Sequence, residues 1–202
     1  MRRKFQVLLL ASLLLLGAAG ASYGAQAGKG VTVTIPAYGV TMNGVRIDNS
    51  YIKYPFIVYN DITYFPMTYN DCRFLGLETE WKGNTAGLSI EKTGITAAYM
   101  PQKASAKNGS RYQATVPGFP IKVNGKAVDN SKQEYPLLSF RDITYFPMTW
   151  EFGVKEFGWD YSFDGKNGLT IRSDNIKLEQ KAIAKASLKK GTDGVASTVT
   201  VT

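Results

Sequence analysis

The octapeptide Asp-Ile-Thr-Tyr-Phe-Pro-Met-Thr occurs twice, at Asp61–Thr68 and Asp142–Thr149, 81 residues apart, and the same offset organises most of the chain. Upstream, Thr34-Ile35-Pro36 aligns with Thr115-Val116-Pro117, Met42-Asn43-Gly44 with Val123-Asn124-Gly125, Asp48-Asn49-Ser50 with Asp129-Asn130-Ser131, and Tyr54-Pro55 with Tyr135-Pro136. Downstream, Gly87-Leu88-Ser89-Ile90 meets Gly168-Leu169-Thr170-Ile171. Self-similarity at a fixed period marks a supersecondary unit used more than once. The copies run over 32–93 and 113–174, with 94–112 as a linker in which Ile95 to Met100 has the composition of one further strand.

Each copy carries the same local signals. Asn43-Gly44 and Asn124-Gly125 lie between alternating apolar residues, and Asn-Gly accepts the positive φ angles of a tight hairpin turn. Phe56–Tyr59 and Ile62–Phe65 flank Asn60-Asp61 as a second hairpin, mirrored by Leu137–Phe140 and Ile143–Phe146. Pro66 and Pro147 are read as ending those strands and as first helical residues, where a missing N–H costs nothing, and Gly76 and Gly158 as the stops. Leu77, Thr79 and Trp81 alternate in a following strand, as do Trp159, Tyr161 and Phe163. Gly83-Asn84 and Gly165-Lys166-Asn167 then turn the chain into closing strands ending at Ile90 and Ile171. The expectation is an α+β, mostly β fold of two tandem repeats, each made of antiparallel hairpins packed with one short helix. A sixty-residue copy buries only about 60% of its unfolded surface. The large aromatics Phe65, Trp81, Phe146 and Phe163 are therefore assigned to the core.

Residues 1–27 read as an export signal. Arg2, Arg3 and Lys4 form a basic n-region, Val7 to Leu16 is nearly all apolar, and cleavage is expected after Ala21 or Ala27. The net charge of +8, less the three leader cations, leaves about +5 on the exported chain, a modest excess that favours polyanionic surroundings without naming one. Cys72 is the only cysteine and there is no histidine, which excludes an intramolecular disulfide, Cys/His zinc sites and a Cys/His dyad. Aligned on the helix-ending glycines, Cys72 falls opposite Val154 and reads as a small buried apolar group.

The hairpin Val123-Asn124-Gly125-Lys126, the proline-led helices, the Leu75-Gly76 and Phe157-Gly158 stops, the late aromatics Trp81 and Phe163, and the closing Leu88-Ser89-Ile90 and Leu169-Thr170-Ile171 together resemble the copper amine oxidase N-terminal domain-like, or stalk domain, family. The resemblance covers both copies. It departs from the family's usual Gly-Arg-Thr-Leu-Val-Pro-Leu-Arg by reading Asp-Ile-Thr-Tyr-Phe-Pro-Met-Thr. It implies an exported accessory module and no oxidase activity, because the catalytic domain of those oxidases lies elsewhere and this chain has no histidine for copper.

No catalytic, cofactor-binding or metal-binding residue is assigned and no cofactor is expected. Asp61 and Asp142 are read as turn residues whose carboxylates accept from nearby backbone N–H groups. Asp48 and Asp129 sit in Asp-Asn-Ser turns without the 12-residue calcium-loop pattern. Tyr69 and Trp150, at matching places early in the helices, are the candidate contacts for a glycan or protein partner. In the tail, 175–202, Lys177, Lys181, Lys185 and Lys189 recur every four residues beside Leu178, Ala182, Ile183, Ala186 and Leu188, the pattern of a basic amphipathic helix facing a polyanion. Thr198 to Thr202 is assigned as an edge strand. The reading is a non-catalytic secreted module of the cell envelope, contacting anionic wall polymer, a glycan or another exported protein. It includes no nucleic-acid partner and no membrane span after signal cleavage. The alternatives are the scaffold of an extracellular hydrolase or hydrolase inhibitor, and a purely structural spacer.

Overall fold

The computed structural model describes residues 27–173 and two short strands in the tail. The signal segment up to Gln26, and Lys177, Lys181 and Lys185, lie outside the described residues.

The fold is mostly β. The first half runs β1 (Gly30–Thr34), β2 (Val40–Met42), β3 (Val45–Ile47), β4 (Ile57–Tyr59), β5 (Ile62–Pro66), helix α1 (Tyr69–Phe74), β6 (Leu77–Trp81), the short α2 (Gly83–Ala86) and β7 (Leu88–Lys92). The second runs β8 (Arg111–Thr115), β9 (Ile121–Val123), β10 (Lys126–Ala127), β11 (Leu138–Phe140), β12 (Ile143–Pro147), a π-helix at Trp150–Glu156, β13 (Trp159–Asp164) and β14 (Gly168–Ser173). Asn43, Asn60, Asp61, Asn124, Arg141 and Asp142 all have positive φ, as the tight hairpin turns require.

The sheets do not follow the sequence boundaries at 93 and 113. A closed barrel takes three strands from each half, in the order β1-β4-β5-β12-β11-β8. One four-stranded sheet joins β9 and β10 to β6 and β7, and the other joins β13 and β14 to β2 and β3. The registers keep the 81-residue offset: Phe65 pairs with Phe146 and Thr32 with Gln113, each opposite its own counterpart. The parallel pairs Leu88↔Ile121 and Val40↔Leu169 are counterparts of one another. Two apolar clusters result. Val33, Ile57, Tyr64, Ala114, Leu138 and Tyr145 fill one. The neighbouring Phe65 and Phe146, pointing the other way from their strands, enter a larger one with Met42, Leu77, Ile90, Val123, Trp159 and Ile171.

Gly87 and Gly168 let the cross-pairing start. Each has φ near 77°, and a Cβ there would lie 1.7 Å from the Pro120 carbonyl oxygen or 2.1 Å from that of Gly39. These carbonyls accept from the Leu88 and Leu169 N–H groups, both at 3.0 Å. Side-chain amides do the same work in duplicate. Asn49 both donates to the Phe56 carbonyl and accepts from its N–H, and Asn130 does so at Leu137. Asn43 accepts from Ser173 N–H and donates to the Phe74 carbonyl, while Asn124 accepts from Lys92 N–H and donates to the Glu156 carbonyl.

Several expectations are corrected. Pro66 and Pro147 do end β5 and β12, as their last residues, but neither begins a helix. The helices begin later, N-capped by Thr68 and Thr149, whose hydroxyls accept from Asp71 and Phe152 N–H. The second helix holds one residue more between its cap and its glycine stop, and takes that surplus as a π-helix. Counted from the caps, the buried Cys72 therefore matches the buried Gly153, whereas Val154 is exposed. Ile95 to Met100 forms no strand. It crosses the first half as an irregular strap, with Ala97 N–H donating to the Arg73 carbonyl and Tyr99 packed on Phe74. In the tail, Lys189 lies in strand β15 (Ser187–Lys190), not a helix, and β15 pairs with β16 (Ser197–Thr200). The tail strand expected from Thr198 thus pairs within the tail instead of extending a sheet of the body.

Candidate functional site

Trp81 and Phe163, assigned to the core from their alternation, are instead 51% and 60% exposed. They share a strand face with buried residues, Leu77 and Trp159, but stand where β6 and β13 run past the edge of the core. Each is met by an aromatic ring from the other half. Trp81 meets Phe119 edge to face at 4.7 Å and 78°, and Phe163 meets Tyr38 at 4.9 Å and 83°.

Behind each pair lies a cleft, and the two clefts are built from counterpart positions. The larger, about 510 Å³, is lined by Met67, Leu88, Asp142, Ile143 and Thr144 around the Trp81–Phe119 pair. The smaller, about 290 Å³, has Met148, Leu169, Asp61, Ile62 and Thr63 around Phe163–Tyr38. Ligand pockets of small-molecule size span about 300–1,000 Å³, which places the larger cleft inside that range and the smaller at its lower limit. Substitutions at counterpart positions distinguish the two clefts. Tyr161 fills the place of Thr79, and a Cβ on Gly153 would come within 2.7 Å of its ring, so Tyr161 is wedged against the π-helix. The Tyr38 hydroxyl is hydrogen-bonded to Thr63, whereas Phe119 has no hydroxyl to offer Thr144. Ser139 and Asn84 add polar groups to the larger cleft only.

Tyr69 joins the larger cleft and is 58% exposed. Its counterpart Trp150, 64% exposed, lines a separate depression with Tyr135, Pro147 and Glu151, so the two candidate contact residues do not share a site. Asp61 and Asp142 take left-handed turn positions, with φ of 62° and 61°, and each also lines one of the clefts, which turn reading alone did not reveal. Asp48 and Asp129 accept from Ser50 and Ser131 N–H, and the bonds from Ser131 and Lys132 hold the Asp129 carboxyl below the usual range.

Asp142 is the one carboxylate among the described lining residues of the larger cleft, and no Lys, Arg or Glu is among those lining residues. No group of three or more Cys, Asp or Glu side chains able to hold a metal occurs among the described residues. The most perturbed carboxyl, Asp71, is buried in the first turn of α1 and lines neither cleft. Burial raises it to about 6, against the lowering effect of a hydrogen bond donated by the Thr68 hydroxyl at 2.6 Å. Burial likewise pushes the Cys72 thiol well up, and its Sγ contacts Met67 Sδ at 3.4 Å, so it is no nucleophile in the native fold. The larger cleft thus offers a ring face, a few polar groups and one carboxylate among its described lining residues. Comparison of the chain with family models, curated proteins and solved structures finds no match in any of the three.

Proposed function

We propose that this is a non-catalytic, exported binding module of the cell envelope, akin to the stalk domains it resembles. The carrying observation is the contrast between its repeated polar residues and its exposed rings. Asn43, Asn49, Thr68 and their counterparts satisfy backbone groups, while the exposed Trp81 and Phe163, with the half-buried Phe119 and Tyr38, line clefts at the junction of the halves. Rings exposed beside a few fixed polar groups favour a ligand with both an apolar face and hydroxyl or amide groups. The leader-like N-terminus supports an extracellular setting, where wall glycan is abundant.

The test is retention of the protein, lacking residues 1–27, on insoluble wall preparations with and without their anionic polymers. Retention on the glycan fraction supports the reading. A protein recovered wholly in the supernatant with both preparations contradicts it.

A further inference from the structure

We infer that the Trp81 cleft is a saccharide site for an uncharged pyranose strand, and that its Phe163 counterpart is not; this deepens the binding-module reading and rests on it. In an edge-to-face pair neither ring is sandwiched by its partner, and Trp81 retains half of its surface for a ligand. The C–H face of a pyranose is the apolar surface such a ring takes, and the equatorial hydroxyls or acetamido groups around its edge need donors and acceptors. Asp142, Asn84 and Ser139 supply them from around the same cleft, and Tyr69 adds a second exposed ring. The charge argues against a polyanion in this cleft. With one carboxylate and no cation among the described lining residues, it offers phosphate and carboxylate polymers no counter-charge.

The sister cleft inherits the carboxylate and the aromatic pair yet lacks the room. Tyr161 occupies it, and Tyr38 and Thr63 satisfy each other instead of a ligand. The sequence repeat has thus produced two similar places of which one is open.

Calorimetric titration of the full exported chain with two neutral probes, a β-1,4-linked glucose trimer and a β-1,4-linked N-acetylglucosamine trimer, tests this. Binding of at least one probe is expected. Trp81→Ala should weaken it by about tenfold or more, the loss of one buried ring contact, and Asp142→Asn should weaken it severalfold. Phe163→Ala should leave affinity unchanged, and inorganic polyphosphate should not compete. Circular dichroism confirms that each variant is folded, and Trp81→Phe, which keeps a ring, should retain part of the affinity. No heat with either trimer, equal losses in Trp81→Ala and Phe163→Ala, or competition by polyphosphate overturns the inference. Wall retention that persists in Trp81→Ala would leave the binding-module reading standing while removing this site from it.

Discussion

Replacing Trp159 by Phe probes how tightly the halves are joined. Its side chain is 1% exposed, its ring lies 4.9 Å from Phe65 and 4.8 Å from Phe157, and its Nε1–H donates at 3.0 Å to the carbonyl of Leu75, 84 residues earlier. Phe keeps most of the ring contact but leaves the buried Leu75 carbonyl without its donor, at about 1–3 kcal/mol. The smaller ring adds about 1 kcal/mol of lost contact and void. The sum, about 3 kcal/mol, should lower the thermal midpoint by about 6–12 °C for a chain of this size. Urea unfolding followed by circular dichroism measures it as a shift in midpoint at constant slope. The exposed Trp150→Phe is the control and should stay within about 0.5 kcal/mol. If Trp159→Phe cost less than about 1 kcal/mol, the bond across the halves would contribute nothing and the reasoning would fail.

Three further outcomes follow from the same packing. The Tyr64 hydroxyl donates to the Pro136 carbonyl at 3.0 Å, whereas its counterpart, the Tyr145 hydroxyl, is buried without a partner among the described residues; Tyr64→Phe should cost about 1 kcal/mol and Tyr145→Phe should be neutral or stabilising in the same urea assay. Asp71, raised to about 6 from an ordinary 3.8, contributes stability that is complete below about pH 4 and is lost as pH rises through about 6. Stability should therefore fall by about 1–3 kcal/mol across that window in the native chain and not in Asp71→Asn, and parallel pH profiles would contradict this. Gly168→Ala combines a positive φ of 76° with a Cβ 2.1 Å from the Gly39 carbonyl; it should destabilise by more than about 3 kcal/mol and broaden amide signals in both β2 and β14.

The hairpins were legible because their signals are local: Asn43-Gly44 and Asn60-Asp61 take the positive φ values their residue types favour. The helix starts read at Pro66 and Pro147 lie three residues too early because proline suits the end of a strand as well as the start of a helix. The hydroxyl of Thr68, with Asp71 three positions on, was the better signal. The exchange of strands between the halves leaves no local trace, since parallel pairing of β2 with β14 joins residues about 130 positions apart. That exchange is also why Trp81 and Phe163 were assigned to the core. Alternation identifies the face a residue shares, but not where along the strand the core ends, and Phe119 and Tyr38 come from the opposite half. Tyr69 and Trp150 stand out in the sequence by their matching positions, and only the three-dimensional arrangement places them on different clefts.

Both clefts exist only because each half completes the sheets of the other. Native-state hydrogen exchange on the full chain addresses this directly, by comparing the opening free energies of amides in β2, β7, β9 and β14. The interleaved fold predicts that all four open together, at one free energy equal to that of global unfolding. Two distinct sets of opening energies, one for β2 with β7 and another for β9 with β14, would mean that the halves are separate units and that neither cleft is a built feature of the fold.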